Sequence, residues 1–555
     1  VLRSFFHTTL LVAPLATTAL LPELVKAATF ELQSATISDI NLAIDSGALT
    51  STQLVQLYLD RIAAYDDQGP ALTSVITVNP NALQEAALRD QQRSFTPNRS
   101  PLFGIPVIVK DNFNTFDLPT SSGALALQNF VPQSDAFQVQ KLREAGAIIL
   151  GKANLSEFAF SGATSVSSFG GTTLNAYDPL RSPAGSSGGT GAAIAASFAT
   201  VGLGTDTGGS IRNPSAFNGL VGLRPTIGLS SRSGVAPLAL SQDTAGPLAR
   251  SVEDAAIVLD ATVGFDPTDP VTAASVGNIP DSYTDFLITT GLQGARIGVA
   301  RELFGSNADP EFAQTNAIIN AAITQMQGLG ATIVDNVTIP GLADILASPS
   351  LSAFEFRDNF NDYLAAEPNA PFSTLQAIID SGLFLPSNRS TLIARNSVAP
   401  LETNAEYQDI IQNRPGRTQT SLLTALTGLD ALIYPTSQAA PRLNTQAQRI
   451  GANNRLSAFS GFPALTLPAG YTADGLPVGV EFLGRAFAEP TLLQFAYAFE
   501  QGAGGRLLPD TVPALAGEVF EYEAIPEPTT IGAVAIAGFA VFQRHTRKRQ
   551  AKRNA

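Results

Sequence analysis

Two glycine-rich turns hold the side chains best placed to do chemistry. Residues 183–191 read Pro-Ala-Gly-Ser-Ser-Gly-Gly-Thr-Gly, and residues 204–212 read Gly-Thr-Asp-Thr-Gly-Gly-Ser-Ile-Arg. Glycines reach dihedrals closed to other residues and let a ligand approach the backbone. Successive amides in such a turn can converge on one point and hold an anion. A phosphate loop needs lysine after its glycines, whereas Thr190 and Ala192 stand there. A dinucleotide fingerprint needs a strand directly before it, where this chain has Pro183. Taken singly, either turn fits a purely structural role as well as a catalytic one.

The rest of the sequence narrows the chemistry. There is no cysteine, so disulfides, thiolate metal sites and cysteine nucleophiles are excluded together. The two histidines, His7 and His545, lie in the terminal segments. If those segments are trimmed or membrane-bound, a Ser-His-Asp triad and a histidine-ligated zinc site are both ruled out. A hydrolase built on this body must use serine, threonine, lysine or carboxylates.

Apolar residues make up 45% of the 555 residues, enough for a large core. Charged residues are 14%, against about 25% in ordinary soluble domains, so the surface must be rich in uncharged polar groups. Net charge is −14 and both terminal segments are net basic, which leaves a strongly acidic body. Such a body repels phosphate backbones and speaks against nucleic-acid partners.

The elements that must position the turns follow from periodicity. Residues 36–65 predict helix, with Leu54, Leu57 and Ile62 on one face. Leu102 to Lys110 predicts a buried strand, through Ile105, Val107, Ile108 and Val109. Asp135 to Ala145 predicts helix, ended by Gly146, and residues 147–150 a strand. Residues 189–199 predict helix and 200–203 a strand. Ser251 is placed to cap the amide of Asp254. Strands are expected at 295–300 and 331–339, around a helix at 311–327. Residues 266–285 read as a connector, and 340–430 as a variable, mostly helical, substrate-facing part. Alternating strands and helices predict an α/β fold with a mixed β-sheet core flanked by helices on both faces.

The ends read as addresses. Arg3, an uncharged stretch from Ser4 to Pro22 and the small residues Ala27 and Ala28 predict a secretory signal over residues 1–28. Ile525-Pro526-Glu527-Pro528, a charge-free run from Thr529 to Phe542 and the basic run Arg544 to Arg553 resemble the PEP-CTERM sorting tails of bacteria. That resemblance implies, for residues 525–555, transient membrane contact and an exosortase-type sorting enzyme as partner. Both ends predict export to the cell envelope or beyond.

Together the two turns resemble the amidase signature family. The likeness runs through Gly104-Ile105-Pro106-Val107, Lys110-Asp111-Asn112 and Gly151-Lys152-Ala153-Asn154-Leu155-Ser156-Glu157. It continues through Gly185-Ser186-Ser187-Gly188-Gly189, Asp206-Thr207-Gly208-Gly209-Ser210-Ile211-Arg212 and Gly222-Leu223-Arg224-Pro225-Thr226. It closes on Gly461-Phe462-Pro463-Ala464 and Gly475-Leu476-Pro477-Val478-Gly479, and so covers roughly residues 30 to 515. The spacing of 24 between Ser186 and Ser210 also agrees. Within the family, Gln242-Asp243-Thr244-Ala245-Gly246-Pro247 resembles bacterial peptide amidases most.

The resemblance implies an amidase domain over residues 29–520 that cleaves a linear carboxamide through an acyl-enzyme. The amide of a peptide C-terminus is the candidate substrate, and no metal or organic cofactor takes part. It implies that Ser210 is the nucleophile and that Ser186, after a cis peptide bond, passes its proton to Lys110. Lysine must be neutral to accept it, so burial must bring its pKa down toward neutrality. The amides of Thr207, Gly208, Gly209 and Ser210 are expected to form an oxyanion hole. Ser187 is expected to hold Lys110, Asp206 and Arg212 to brace the loop, and Lys152 to be structural. The alternatives are a retired amidase scaffold in a surface or matrix protein, and a glutaminase-type subunit of an amidotransferase.

Overall fold

Ile105, Val107, Ile108 and Val109 are all fully buried. Ile105 leads into the strand Pro106–Lys110, which runs inside a sheet between Ile148–Ala153 and Val201–Asp206, parallel to both. A strand buried on both faces needs this unbroken apolar run and no alternation. The computed structural model describes residues 26–524. The expected leader and tail lie outside these residues, apart from residues 26–28, which open the strand Lys26–Glu31. Residues 30–520 make one compact unit. The described residues of the terminal unit, 26–29 and 521–524, all lie in strands.

Among the described residues the main sheet has eleven strands. In spatial order they are Thr332–Val334, Arg296–Val299, Ala431–Pro435, Pro477–Leu483, Ala464–Tyr471, Val221–Arg224, Thr244–Ala249, Val201–Asp206, Pro106–Lys110, Ile148–Ala153 and Val75–Val78. Four neighbouring pairs are parallel and six antiparallel, so the sheet is mixed, as expected. Helices pack against it, among them Gly188–Ala195, Val252–Thr262, Pro310–Gly328 and Glu489–Ala503.

The expected helix at 36–65 is two helices, Ile37–Asp45 and Ser51–Arg61, separated at Gly47, followed by a π-turn over Ile62–Asp66. The Ser251 cap is present, with the Asp254 amide donating to its Oγ at 3.1 Å. The connector holds only short 3₁₀ turns, at Pro270–Ser275 and Tyr283–Phe286.

The helix Gly188–Ala195 joins the two glycine-rich turns and is buried along its whole length. Its small residues let backbones touch. A Cβ on Gly189 would stand 2.1 Å from the Asn154 carbonyl oxygen. Arginines serve the carbonyls at its far end. Arg61 donates to Ala196 through Nε at 3.0 Å and Nη2 at 2.8 Å, and Arg506 donates to Ala195 at 2.7 Å. These contacts satisfy acceptors that a helix end leaves open and set positive charge against its negative pole.

The 340–430 part is helical, through Ser352–Ala366, Leu375–Ser381, Arg389–Asn396 and Ala405–Ala425. Phe356 and Phe360 pack there with Phe158 of the preceding body in one aromatic cluster. Buried Glu157 stitches the two, accepting from the Leu385 amide at 2.9 Å and from Asn388 Nδ2 at 2.7 Å. Among the described residues no helix is long and apolar enough to cross a membrane.

Candidate active site

Lys110 ends its strand, and Val109 lies in register with Leu203 of the parallel neighbour. Both strands therefore finish at the same edge, outside which ligands bind in α/β sheets. Lys110 is fully buried. Its Nζ donates to Ser186 Oγ at 2.8 Å and to Thr205 Oγ1 at 2.7 Å. Loss of hydration disfavours the ammonium and brings its pKa down to about 7, against the opposing pull of Asp243 and Asp206. A lysine held in this way can exchange a proton near neutrality.

Ser186 follows a cis peptide bond from Gly185 and is fully buried. Ser187 does not hold Lys110, contrary to expectation. Its Oγ donates to the Thr205 carbonyl at 3.3 Å, and Thr205 supplies the hydroxyl that holds the lysine. The Ser187 amide donates to the Ser210 carbonyl at 3.2 Å and binds the two turns together. Ser210 is nearly buried, and its hydroxyl makes no hydrogen bond to protein among the described residues.

The turn before Ser210 contains both unclaimed and claimed amides. Those of Thr207, Gly208 and Ser210 donate to no protein group among the described residues. The amide of Gly209 differs from expectation: it donates to Asp206 Oδ1 at 2.7 Å and is not free to serve an oxyanion. Gly209 has φ 122°, and a Cβ there would meet Asn454 Cγ at 2.8 Å, so glycine is required. Gly208 is exposed, with nothing within 4 Å of an ideal Cβ, and marks the open side of the turn.

Behind the turn lies a fully buried ion network. Arg212 meets Asp206 through Nε at 3.1 Å and Glu481 through Nη1 at 2.6 Å, and Arg224 meets Asp206 at 3.0 Å. Arg212 also donates to the Asn454 carbonyl at 3.0 Å, and Tyr434 to Glu481 at 3.0 Å. Burial alone would raise the Asp206 pKa, but Arg212 and Arg224 outweigh it and hold the carboxylate well below its ordinary range. The Asp206–Arg212 brace expected from sequence is present. Arg224 and Glu481 complete it and carried no assigned role in the sequence. Arg224 stands in the quoted Gly-Leu-Arg-Pro-Thr block, whereas no local pattern points to Glu481.

Lys152 is equally buried, but it meets Asp111 at 3.2 Å, the Phe113 carbonyl at 2.8 Å and Thr120 Oγ1 at 2.7 Å. It fastens the 113–120 loop.

The Amidase family profile matches residues 53–493 of this chain. A probable amidase of Arabidopsis thaliana is 34% identical over 501 residues, covering 85% of this chain and 91% of the relative. Among the A subunits of glutamyl-tRNA(Gln) amidotransferases, that of Thermoanaerobacter pseudethanolicus is also 34% identical, covering 85% and 97%. The crystal structure of the native peptide amidase from Stenotrophomonas maltophilia matches with a TM-score of 0.78 at 39% identity, covering 86% of this chain and 99% of that one. With two serines and a buried lysine gathered at one sheet edge, the chain belongs to the amidase signature family and is a serine amide hydrolase.

Proposed function

We propose that the protein is an exported amidase that cleaves linear carboxamides, with peptide C-terminal amides as the substrate class, through Ser210, Ser186 and Lys110. The observation that carries this reading is the 2.8 Å contact between the Lys110 amine and the fully buried Ser186 hydroxyl, with the lysine poised near neutrality. The 39% identity to a peptide amidase over nearly that protein's whole length supports the substrate class.

Neutral Lys110 takes the Ser186 proton while Ser186 takes that of Ser210. The freed Ser210 oxygen bonds to the amide carbon, and the carbonyl π pair moves onto oxygen. Catalytic hydrogen bonds commonly close only around bound substrate, and the link between the two serines is of that kind. The oxyanion rests on the amides of Thr207, Gly208 and Ser210, each worth a factor of about 10²–10³ in such holes. Collapse breaks the C–N bond, and the leaving nitrogen receives its proton back through Ser186. Water, deprotonated along the same path, then releases the acid.

Ser210→Ala tests the reading. We expect turnover of a panel of aliphatic and peptide amides to fall by about 10⁴-fold or more, as for other activated serines, with an unchanged unfolding midpoint. A fluorophosphonate probe should label wild type at residue 210. Undiminished turnover would remove Ser210 as nucleophile. The likeness to these amidotransferase chains favours a second reading, glutaminase action within a complex. Release of ammonia from peptide amides by the isolated chain sets that reading aside, and strict dependence on glutamine and on a second protein would establish it.

Export completes the proposal: residues 1–28 as leader, 29–520 as the enzyme with 340–430 facing substrate, and 525–555 as a tail read by an exosortase-type enzyme.

A further inference from the structure

Gln242 lies behind the turn that carries Ser210 and is almost wholly buried. The sense of its side-chain amide is fixed. Its Oε1 accepts from Arg414 Nη2 at 2.8 Å and from the Leu351 amide at 2.8 Å. Its Nε2 is therefore the end that meets the Thr207 carbonyl, at 2.9 Å. Exchanging oxygen and nitrogen would set donor against donor and acceptor against acceptor at these three contacts, while the fourth, from Nε2 to Ser350 Oγ at 3.4 Å, suits either sense. The backbone of Gln242 is held as firmly. Its amide donates to the Ala239 carbonyl at 2.9 Å, and its carbonyl accepts from Arg224 Nη2 at 2.9 Å. Arg414 is itself immobilised, donating to the Pro349 carbonyl at 2.5 Å and lying over the Phe459 ring 3.8 Å from its centroid.

The Thr207–Gly208 peptide is trans, the cis bond of this region being Gly185–Ser186. A trans peptide is planar, so the Thr207 carbonyl and the Gly208 amide point in opposite directions. Drawing the carbonyl back onto Gln242 turns the amide forward, toward the open side where Gly208 is exposed. We infer that Gln242, oriented by Arg414, is a positioning residue that aims the Gly208 amide at the developing oxyanion. This rests on the proposed role of Ser210 and its turn. It gives the helix Ala405–Ala425, which carries Arg414, a direct line to the reacting end of the site.

The test is Gln242→Glu. Glutamate keeps the length and an acceptor for Arg414 and Leu351, but as a carboxylate it has no hydrogen to give the Thr207 carbonyl. Three quantities are measured on wild type and variant: kcat and KM on a peptide C-terminal amide, Ki for a peptide aldehyde whose adduct oxygen occupies the hole, and Tm. We expect kcat to fall about ten- to a hundredfold, less than outright loss of a donor costs. The aldehyde Ki should weaken in step, with KM unchanged. Tm falls in either case, because the carboxylate meets the Thr207 carbonyl acceptor against acceptor, so kcat and Ki are read well below the Tm of the variant. A merely structural glutamine would leave the ratio of aldehyde to substrate affinity alone. Arg414→Met removes the group that orients the amide and carries the test if Gln242→Glu does not fold.

Wild-type kcat in both variants overturns the inference, as does a loss of kcat that tracks Tm and vanishes on cooling. Ser210→Ala run alongside separates the two levels. If it stays active, the parent reading has failed. If it is inactive while Gln242→Glu retains full turnover, only the role of Gln242 has failed.

Discussion

At the scale of the residue, everything turns on the protonation of Lys110. Burial disfavours its ammonium and lowers the pKa to about 7. The neutral form is the proposed base, so activity must be lost as pH falls through that value and must level off above it. We expect kcat/KM of the free enzyme to rise with unit slope and bend near pH 7, and a pH-rate profile from 5 to 9 checks this. A flat profile, or a bend near the ordinary lysine value, removes Lys110 from the proposed role. The lysine and both serines were legible in the sequence because they sit inside compact motifs. Their supports were less so. Thr205 lies in the strand Val201–Asp206 and Ser187 directly before the helix Gly188–Ala195, and spacing alone does not encode which hydroxyl reaches the lysine. The Gly209 amide is claimed by Asp206 only because the turn coils back on itself at a positive φ. Glu481 lies 269 residues from Arg212, beyond the reach of any local pattern.

At the scale of the element, the strands with a parallel neighbour were legible apart from Ala431–Pro435, and those with only antiparallel neighbours were missed. Thr244–Ala249, Ala464–Tyr471 and Pro477–Leu483 contain glycine and proline, which mark turns in most contexts. Glycine is required at 246 and 479 because neighbours crowd the backbone: a Cβ would stand 2.4 Å from the Leu223 carbonyl oxygen and 2.6 Å from Ala216 Cβ. The helix Gly188–Ala195 shows the same logic. It has little side-chain bulk, so its place is set by what grips its ends. Arg61 grips the far end and forms a fully buried pair with Glu518 at 2.7 Å. Arg61→Met would leave Glu518 uncompensated and the Ala196 carbonyl without its donors. We expect a loss of about 3–5 kcal/mol, the usual result of removing one partner of a buried pair, measured by denaturant unfolding. A loss under about 1 kcal/mol, the level of an exposed pair, would show that the helix end does not depend on this arginine.

At the scale of the whole molecule, an acidic body sits between two basic ends, and the proposed export makes use of both. In an exporting bacterial host that carries an exosortase-type enzyme, the full chain should pass through the membrane fraction before release. A chain ending at residue 524 should be released without that stage and keep the same specific activity. Identical fractionation of the two would overturn the role proposed for the tail. The sheet also determines when an active molecule first exists. The proposed reacting groups all lie between residues 110 and 210, yet the ion network behind them closes only through Asn454 and Glu481. A ribosome-bound chain that already contains every reacting side chain still lacks Glu481, the second of the two carboxylates that meet Arg212. The growing polypeptide is therefore expected to stay inert until Glu481 has been added, 269 residues after Arg212.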